Sequence, residues 1–174
     1  MRILISAIFI ISSLFSQQDA DSVGFFIKVG DPSPDFTLTF PNGDSTSFSE
    51  LKGKVIMLQF TASWCSVCRQ EMPHIEQKIW QDLHCENLIV IGVDRDEPAE
   101  KVLKFAEDME ITYPLALDPG AEIFGLFADK QSGVTRNVII DQKGNIAHLT
   151  RLFNMEEFNE MVEVIKRLLK QDDG

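Results

Sequence analysis

The chain alternates between short apolar runs and amphipathic stretches. Two short runs, Val55–Phe60, which is apolar except for Gln59, and Leu88–Val93, are bounded by polar and turn residues, a pattern typical of strands buried on both faces of a sheet. Apolar residues at helical spacing follow each run: over residues 65–82, where Pro73 predicts a kink, and over residues 98–109. Strand and helix therefore alternate, which predicts an α/β layer.

Hairpins are predicted on either side of this central region. Asp35–Phe40 alternates polar and apolar residues, and Asn42-Gly43 is a strong hairpin turn before the returning segment Ser45–Phe48. The other predicted elements are a second hairpin, from Val138–Ile140 and Ile146–Leu149 around Lys143-Gly144-Asn145, a short helix over residues 121–127, and a closing amphipathic helix from Met155 to Lys170. The sheet is therefore expected to be mixed.

The first residues do not fit the predicted domain. An apolar run from Ile3 to Phe15 follows Met1 and Arg2, and polar residues come next, as in a secretory signal peptide. A helix of that length reaches only about 20 Å, short of the ~30 Å hydrocarbon core, so an uncleaved anchor is the weaker alternative. No cysteine follows that would carry a lipid anchor. We predict export to the periplasm, without stable membrane insertion after cleavage.

Cleavage after Ser16 gives the expected organisation of the chain: signal peptide 1–16, N-terminal extension 17–28, one domain over 29–170 and a tail over 171–174. The 27 acidic and 16 basic side chains give a net charge of −11. This balance argues against binding nucleic acid or anionic membrane surfaces. Three cysteines are too few for a disulfide scaffold.

Two of these cysteines form the motif Cys65-Ser66-Val67-Cys68, which directly follows a predicted strand and opens a predicted helix. A sulfur at a helix N-terminus meets unpaired backbone N–H groups and the positive end of the helix dipole, which favour thiolate. The thiolate is the species that attacks a disulfide. We therefore predict Cys65 as the nucleophile and Cys68, one turn further, as the resolving thiol.

The residues around this motif resemble the TlpA/ResA branch of the thioredoxin superfamily, which is redoxin- or AhpC-TSA-like. The resemblance rests on Gly30-Asp31-Pro32-Ser33-Pro34-Asp35-Phe36 and on Phe60-Thr61-Ala62-Ser63-Trp64-Cys65, Cys68-Arg69, Glu71-Met72-Pro73, Gly92-Val93-Asp94 and Val138-Ile139-Ile140-Asp141. It implies a thioredoxin-like fold with an N-terminal hairpin and a helical insertion after the second core strand. It also implies exported thiol-disulfide exchange through a Cys65–Cys68 disulfide, without a cofactor or metal.

The resemblance also suggests roles for the neighbours of the cysteines. Glu71 matches a carboxylate that exchanges protons near the thiols, and the alternative is a solvated helix glutamate. Trp64 is expected on the active-site surface. Thr135, after Val134, stands where thioredoxins have a cis-proline, so this loop either keeps a costly cis bond or is trans. We expect substrate to bind to Trp64, Val134, Thr135 and Arg136. The Arg136 cation is expected near Cys65, or else it is an ordinary surface arginine.

Other interpretations of the cysteines remain open at this stage. Cys85 is predicted to be a partly buried structural thiol, with regulatory or intermolecular pairing as the alternative. A zinc site is a further interpretation, with His74, His84 and Cys85 as ligands beside the motif cysteines. The spacing of these residues matches no pattern of paired zinc ligands. Met57 and Met72 are predicted core residues, and their soft sulfurs keep a metal interpretation open.

The leading functional prediction is a disulfide reductase that acts on exported proteins and receives electrons from an upstream thiol donor. A thiol peroxidase is one alternative, although Ala62 stands where the peroxidase pattern needs Thr. A copper-delivery module that uses Cys65 and Cys68 as soft ligands is another.

Overall fold

A computed structural model describes residues 24–83 and 85–170. Seven strands form one mixed sheet in the order β2-β1-β5-β4-β3-β6-β7. The strands are β1 (Thr37–Thr39), β2 (Ser45–Ser47), β3 (Val55–Thr61), β4 (Leu88–Arg95), β5 (Leu115–Asp118), β6 (Arg136–Ile140) and β7 (Ile146–Arg151). The helices are α1 (Phe48–Leu51), α2 (Ser66–Ile75), α3 (Ala99–Asp108), α4 (Phe124–Phe127) and α5 (Met155–Lys170). Strands β3, β4 and β5 are parallel, and the other pairings are antiparallel.

Most predicted elements are present. Both hairpins form, both apolar runs are central strands, and α5 has the predicted bounds. Helix α2 passes through Pro73 and continues in the wider π-helical form over Glu76–Gln81. The predicted helix over 121–127 is shorter, because a separate 3₁₀ turn covers Pro119–Ala121 and α4 begins at Phe124. Strand β5 was not predicted from the sequence.

The period of two residues along β3 divides the core between the faces of the sheet. Ile56, Leu58 and Phe60 pack on the face that α1 and α4 cover. Val55 and Met57 pack on the opposite face, against apolar residues of α2, α3 and α5. Every residue of β3 is buried, including the polar Gln59 and Thr61, as its largely apolar pattern predicts for a central strand.

The ends of the chain bear on the predicted domain bounds. Phe25 and Ile27, which we assigned to an extension, are buried in the core, and the Phe26 amide donates to the Phe127 carbonyl at 2.9 Å. The predicted signal peptide 1–16, its cleavage site and the tail 171–174 lie outside the described residues. Within 24–83 and 85–170, none of the helices has the length and apolar character needed to cross a bilayer.

Candidate active site

The two motif cysteines lie where β3 turns into α2, and they form a disulfide. Cys65 is the N-cap of α2, and the Cys68 amide donates to its Sγ at 3.1 Å. This is the unpaired N–H environment that the sequence predicted for the nucleophile. Cys65 is 7% exposed, whereas Cys68 is fully buried. Of the two sulfurs, Cys65 is therefore the one nearer to an incoming partner.

Two side chains, those of Glu97 and Arg69, bind Ser63 in the segment before Cys65. Glu97 accepts hydrogen bonds from the Ser63 amide at 2.6 Å and from its hydroxyl at 2.8 Å, and Glu97 also pairs with Lys101. Arg69 Nε donates to the Ser63 carbonyl at 2.9 Å. These contacts fix the backbone that presents the nucleophile.

Trp64 is 57% exposed, as expected for a residue of the active-site surface. Its ring lies over the guanidinium of Arg95, 5.2 Å from the ring centroid. Arg95 also donates to the Ser132 carbonyl at 2.8 Å. Arg95 thus joins the segment before Cys65 to the loop before β6, a link that the sequence analysis did not identify.

Thr135 lies directly against the disulfide. Its hydroxyl oxygen is 3.1 Å from Cys65 Sγ and 3.3 Å from Cys68 Sγ, and both Thr135 and Val134 are buried. No cis peptide bond occurs among the described residues, so the bond between Val134 and Thr135 is trans. The Thr135 carbonyl accepts a hydrogen bond from the Leu152 amide at 3.2 Å, which ties the loop to the residue after β7.

Glu71 is not a solvated helix residue, because only 1% of it is exposed. Its carboxylate accepts hydrogen bonds from Asn137 Nδ2 at 2.6 Å and from Gln59 Nε2 at 3.4 Å. Gln59 and Asn137 are direct cross-strand partners on β3 and β6, so they reach α2 from the same face of the sheet. Burial raises the pKa of Glu71 to about 7 against the opposing effect of these donors. The carboxyl can therefore accept or release a proton near neutral pH.

Arg136 is fully buried, so the expectation of an ordinary surface arginine is wrong. Its guanidinium lies 5.1 Å from the ring centroid of Phe25 and 5.3 Å from that of Phe124, and it donates to the carbonyls of Gly133 and Gly24. A buried side chain offers no surface to a docking partner. An electrostatic effect of Arg136 on Cys65 stays a prediction.

A second buried carboxyl lies near the active site and was not identified from the sequence. Asp94, at the end of β4, is fully buried and is the cross-strand neighbour of Thr61. Burial and the charge of Glu97 raise the pKa of Asp94 to about 8. The sequence signal was the polar residue after the apolar run Leu88–Val93.

The remaining predictions concern the third cysteine and the methionines. Cys85 is exposed, so the prediction of a partly buried structural thiol is wrong; it lies in the irregular segment before β4. Met57 and Met72 are fully buried, as predicted. Within the described part of the chain, no three His, Cys, Asp or Glu side chains are grouped to hold a metal ion, and His84 of the suggested zinc site lies outside that part.

Comparison with known proteins identifies the family. Residues 29–149 match the family model described as the AhpC/TSA family, which is more than half of the chain. The chain belongs to the AhpC/TSA family. It is 32% identical to the thioredoxin-like protein YneN of Bacillus subtilis over 138 residues, which cover 77% of this chain and 76% of YneN.

Two further similar proteins connect the chain to chemistry. The chain is 27% identical to the thiol-disulfide oxidoreductase ResA of Bacillus cereus over 128 residues, which cover 71% of this chain and 72% of ResA. It is 53% identical, with a TM-score of 0.82, to the solution structure of a candidate protein disulfide isomerase from Bacteroides thetaiotaomicron, over 86% of this chain and 94% of that one. The protein is a thiol-disulfide oxidoreductase with a thioredoxin-like fold, as the resemblance to the TlpA/ResA branch implied.

Proposed function

We propose that the protein is exported and reduces disulfides in exported partner proteins, with Cys65 as the nucleophile and Cys68 as the resolving thiol. The carrying observation is the asymmetry of the pair. Cys65 sits at the N-cap of α2 beside the exposed Trp64, whereas Cys68 is fully buried behind it. A partner sulfur can therefore approach Cys65 and form a mixed disulfide with it. The buried Cys68 is then placed to attack that mixed disulfide.

The exchange has two steps. The Cys65 thiolate attacks a partner disulfide, the partner S–S bond breaks, and one partner sulfur leaves as thiolate while a mixed disulfide forms. The Cys68 thiolate then attacks Cys65 Sγ, which expels the second partner sulfur and forms the Cys65–Cys68 disulfide. The partner gains two electrons and the protein loses two. An upstream thiol donor must reduce the protein again.

The second step requires the buried Cys68 to lose its proton. Glu71 lies three residues further along α2, so both side chains are on the same helix face. We assign Glu71 as the acceptor of this proton, because its pKa of about 7 suits proton exchange near neutral pH. Glu71→Gln is expected to slow release of the mixed disulfide and to leave its formation nearly unchanged.

Trapping of the mixed disulfide tests the assignment of the cysteines. In a Cys85→Ser background, which removes the exposed third thiol, Cys68→Ser is expected to accumulate a covalent complex with a disulfide-containing protein such as insulin, whereas Cys65→Ser is expected to form none. Cys85→Ser is the matched control, because Cys85 is an exposed thiol outside the motif. Complexes that form through Cys68 in the Cys65→Ser protein would contradict the proposal.

The reduction potential tests the direction of transfer. Equilibration of the Cys65–Cys68 pair with glutathione, read by alkylation and mass, is expected to give a value near the thioredoxin end, about −270 mV. A value near −120 mV would instead indicate an oxidant of newly exported proteins. Secretion of the full chain, with removal of residues 1–16 read by N-terminal sequencing, tests the export.

Membership of the AhpC/TSA family favours a thiol peroxidase as the second candidate function. Against it, Ala62 occupies the position where the peroxidase pattern needs Thr, and Cys65 has a resolving partner three residues away. Rapid formation of a Cys65 sulfenic acid with low peroxide would favour the peroxidase. We expect slow formation.

A further inference from the structure

Among the described residues outside the motif, Thr135 contacts both active-site sulfurs through a polar side-chain atom. Its Oγ1 lies 3.1 Å from Cys65 Sγ and 3.3 Å from Cys68 Sγ, within hydrogen-bond distance for sulfur. The side chain is buried, and the Leu152 amide holds the Thr135 carbonyl. The hydroxyl is therefore held between the reacting atoms.

The direction of these hydrogen bonds follows from the oxidation state. Neither sulfur of the Cys65–Cys68 disulfide carries a hydrogen, so the Thr135 hydroxyl is the donor. Thiolate is a stronger acceptor than a disulfide sulfur, because a hydrogen bond to an ionised group is roughly twice as strong as one between neutral groups. The same hydroxyl therefore stabilises the reduced, ionised form more than the oxidised form.

We propose that the Thr135 hydroxyl is a catalytic hydrogen-bond donor that serves both sulfurs in turn. It donates to Cys65 while that sulfur is the attacking thiolate, and it rotates to Cys68 when Cys68 becomes the thiolate that attacks the mixed disulfide. The hydroxyl keeps its proton in both steps, so the balance of atoms and electrons is that of thiol-disulfide exchange. This inference deepens the proposed function and rests on it.

The position of Thr135 explains why one residue can serve both steps. The two sulfur contacts differ by only 0.2 Å, so rotation about the C–O bond redirects the hydrogen without movement of the loop. The next residue, Arg136, begins β6 and is fully buried, which fixes the backbone on that side. A hydroxyl on a mobile loop would lose part of this advantage to ordering entropy.

Three variants of reduced protein separate the hydroxyl from the shape of the side chain. Thr135→Val removes the hydroxyl at nearly constant side-chain volume, and Thr135→Ser keeps it. Thr135→Ala also removes the hydroxyl and replaces the Val variant in these measurements if that variant does not fold. Thr61→Val is the matched control, because Thr61 is a buried threonine whose hydroxyl donates to Met72 sulfur instead. Near-ultraviolet circular dichroism of each oxidised variant reports whether the fold is retained.

The readouts are the pH profile of Cys65 alkylation, located by fragment mass, and the equilibrium with glutathione. Loss of the hydroxyl is expected to raise the pKa of Cys65 by about one unit and, at a pH above that titration, to favour the disulfide about tenfold. Thr135→Ser and Thr61→Val are expected to follow the parent. Val or Ala variants that also follow the parent would overturn the proposal. A parent protein that fails to reduce insulin would instead overturn the proposed function, and the alkylation profile would still test the hydroxyl.

Discussion

Replacement of Glu71 by Gln is expected to stabilise the oxidised protein at alkaline pH while it impairs catalysis. The carboxyl is buried between Asn137 and Gln59, and burial raises its pKa from 4.5 to about 7. In the unfolded chain the same carboxyl is solvated and titrates near its ordinary value. Folding therefore becomes less favourable whenever the pH ionises this group.

The sign and magnitude follow from proton linkage. Because the pKa is higher in the folded state, the contribution of Glu71 to stability is fully present below pH 4.5 and is lost as the pH rises through about 7. A shift of about 2.5 units at about 1.36 kcal/mol each gives a loss of about 3 kcal/mol. Gln keeps the shape of the side chain and does not ionise, so the Glu71→Gln protein does not lose this stability as the pH rises.

Urea unfolding of the oxidised parent and Glu71→Gln proteins at pH 5, 7 and 9 measures the effect. We expect the variant to be about 3 kcal/mol more stable than the parent at pH 9 and only about 1 kcal/mol more stable at pH 5, where the folded-state carboxyl is still protonated. Exposed Glu100→Gln is the control for the loss of one carboxylate. Asp94 titrates in both proteins, so its contribution cancels in the difference. A difference between variant and parent that does not change with pH would refute the reasoning.

Three further predictions concern other buried polar groups. Asn137→Ala is expected to raise the pKa of Glu71 above 7, since it removes the donor at 2.6 Å; NMR titration of that carboxyl measures it. Asp94→Asn is expected to abolish a loss of stability of about 6 kcal/mol that the parent shows as the pH rises from about 4 to 9. Burial and the charge of Glu97 raise the Asp94 pKa from 3.8 to about 8, a shift of about 4.2 units at about 1.36 kcal/mol each, and urea unfolding across that range measures the effect. Arg136→Ala is expected to lower the free energy of unfolding by about 2–4 kcal/mol, because it removes a buried cation packed on two rings. Replacement of the exposed Arg151 by Ala is expected to change the free energy of unfolding little, and urea unfolding measures both variants.

Strong patterns in the sequence account for what could be predicted. The largely apolar runs in β3 and β4 and the helical periodicity of α5 are long enough to identify their elements. Strand β5 has four residues, and its pairing with β1 and β4 depends on tertiary contacts that no local pattern encodes. The cysteine motif could likewise be identified from the sequence, because its two cysteines are only three residues apart.

The rest of the site depends on register, as three consecutive residues show. Thr135, still in the loop, contacts the sulfurs; Arg136, paired with Phe60, packs on the α4 face; and Asn137, paired with Gln59, points to the opposite face and donates to Glu71. Because side chains alternate along a strand, a register shift of one residue would place the arginine beside the carboxylate and leave the amide among aromatic rings. Such a shift would convert the neutral donor of Glu71 into a cation and lower the carboxyl pKa far below 7. The proton chemistry assigned to Glu71 is thus set by the pairing of β3 with β6, which a single sequence does not specify.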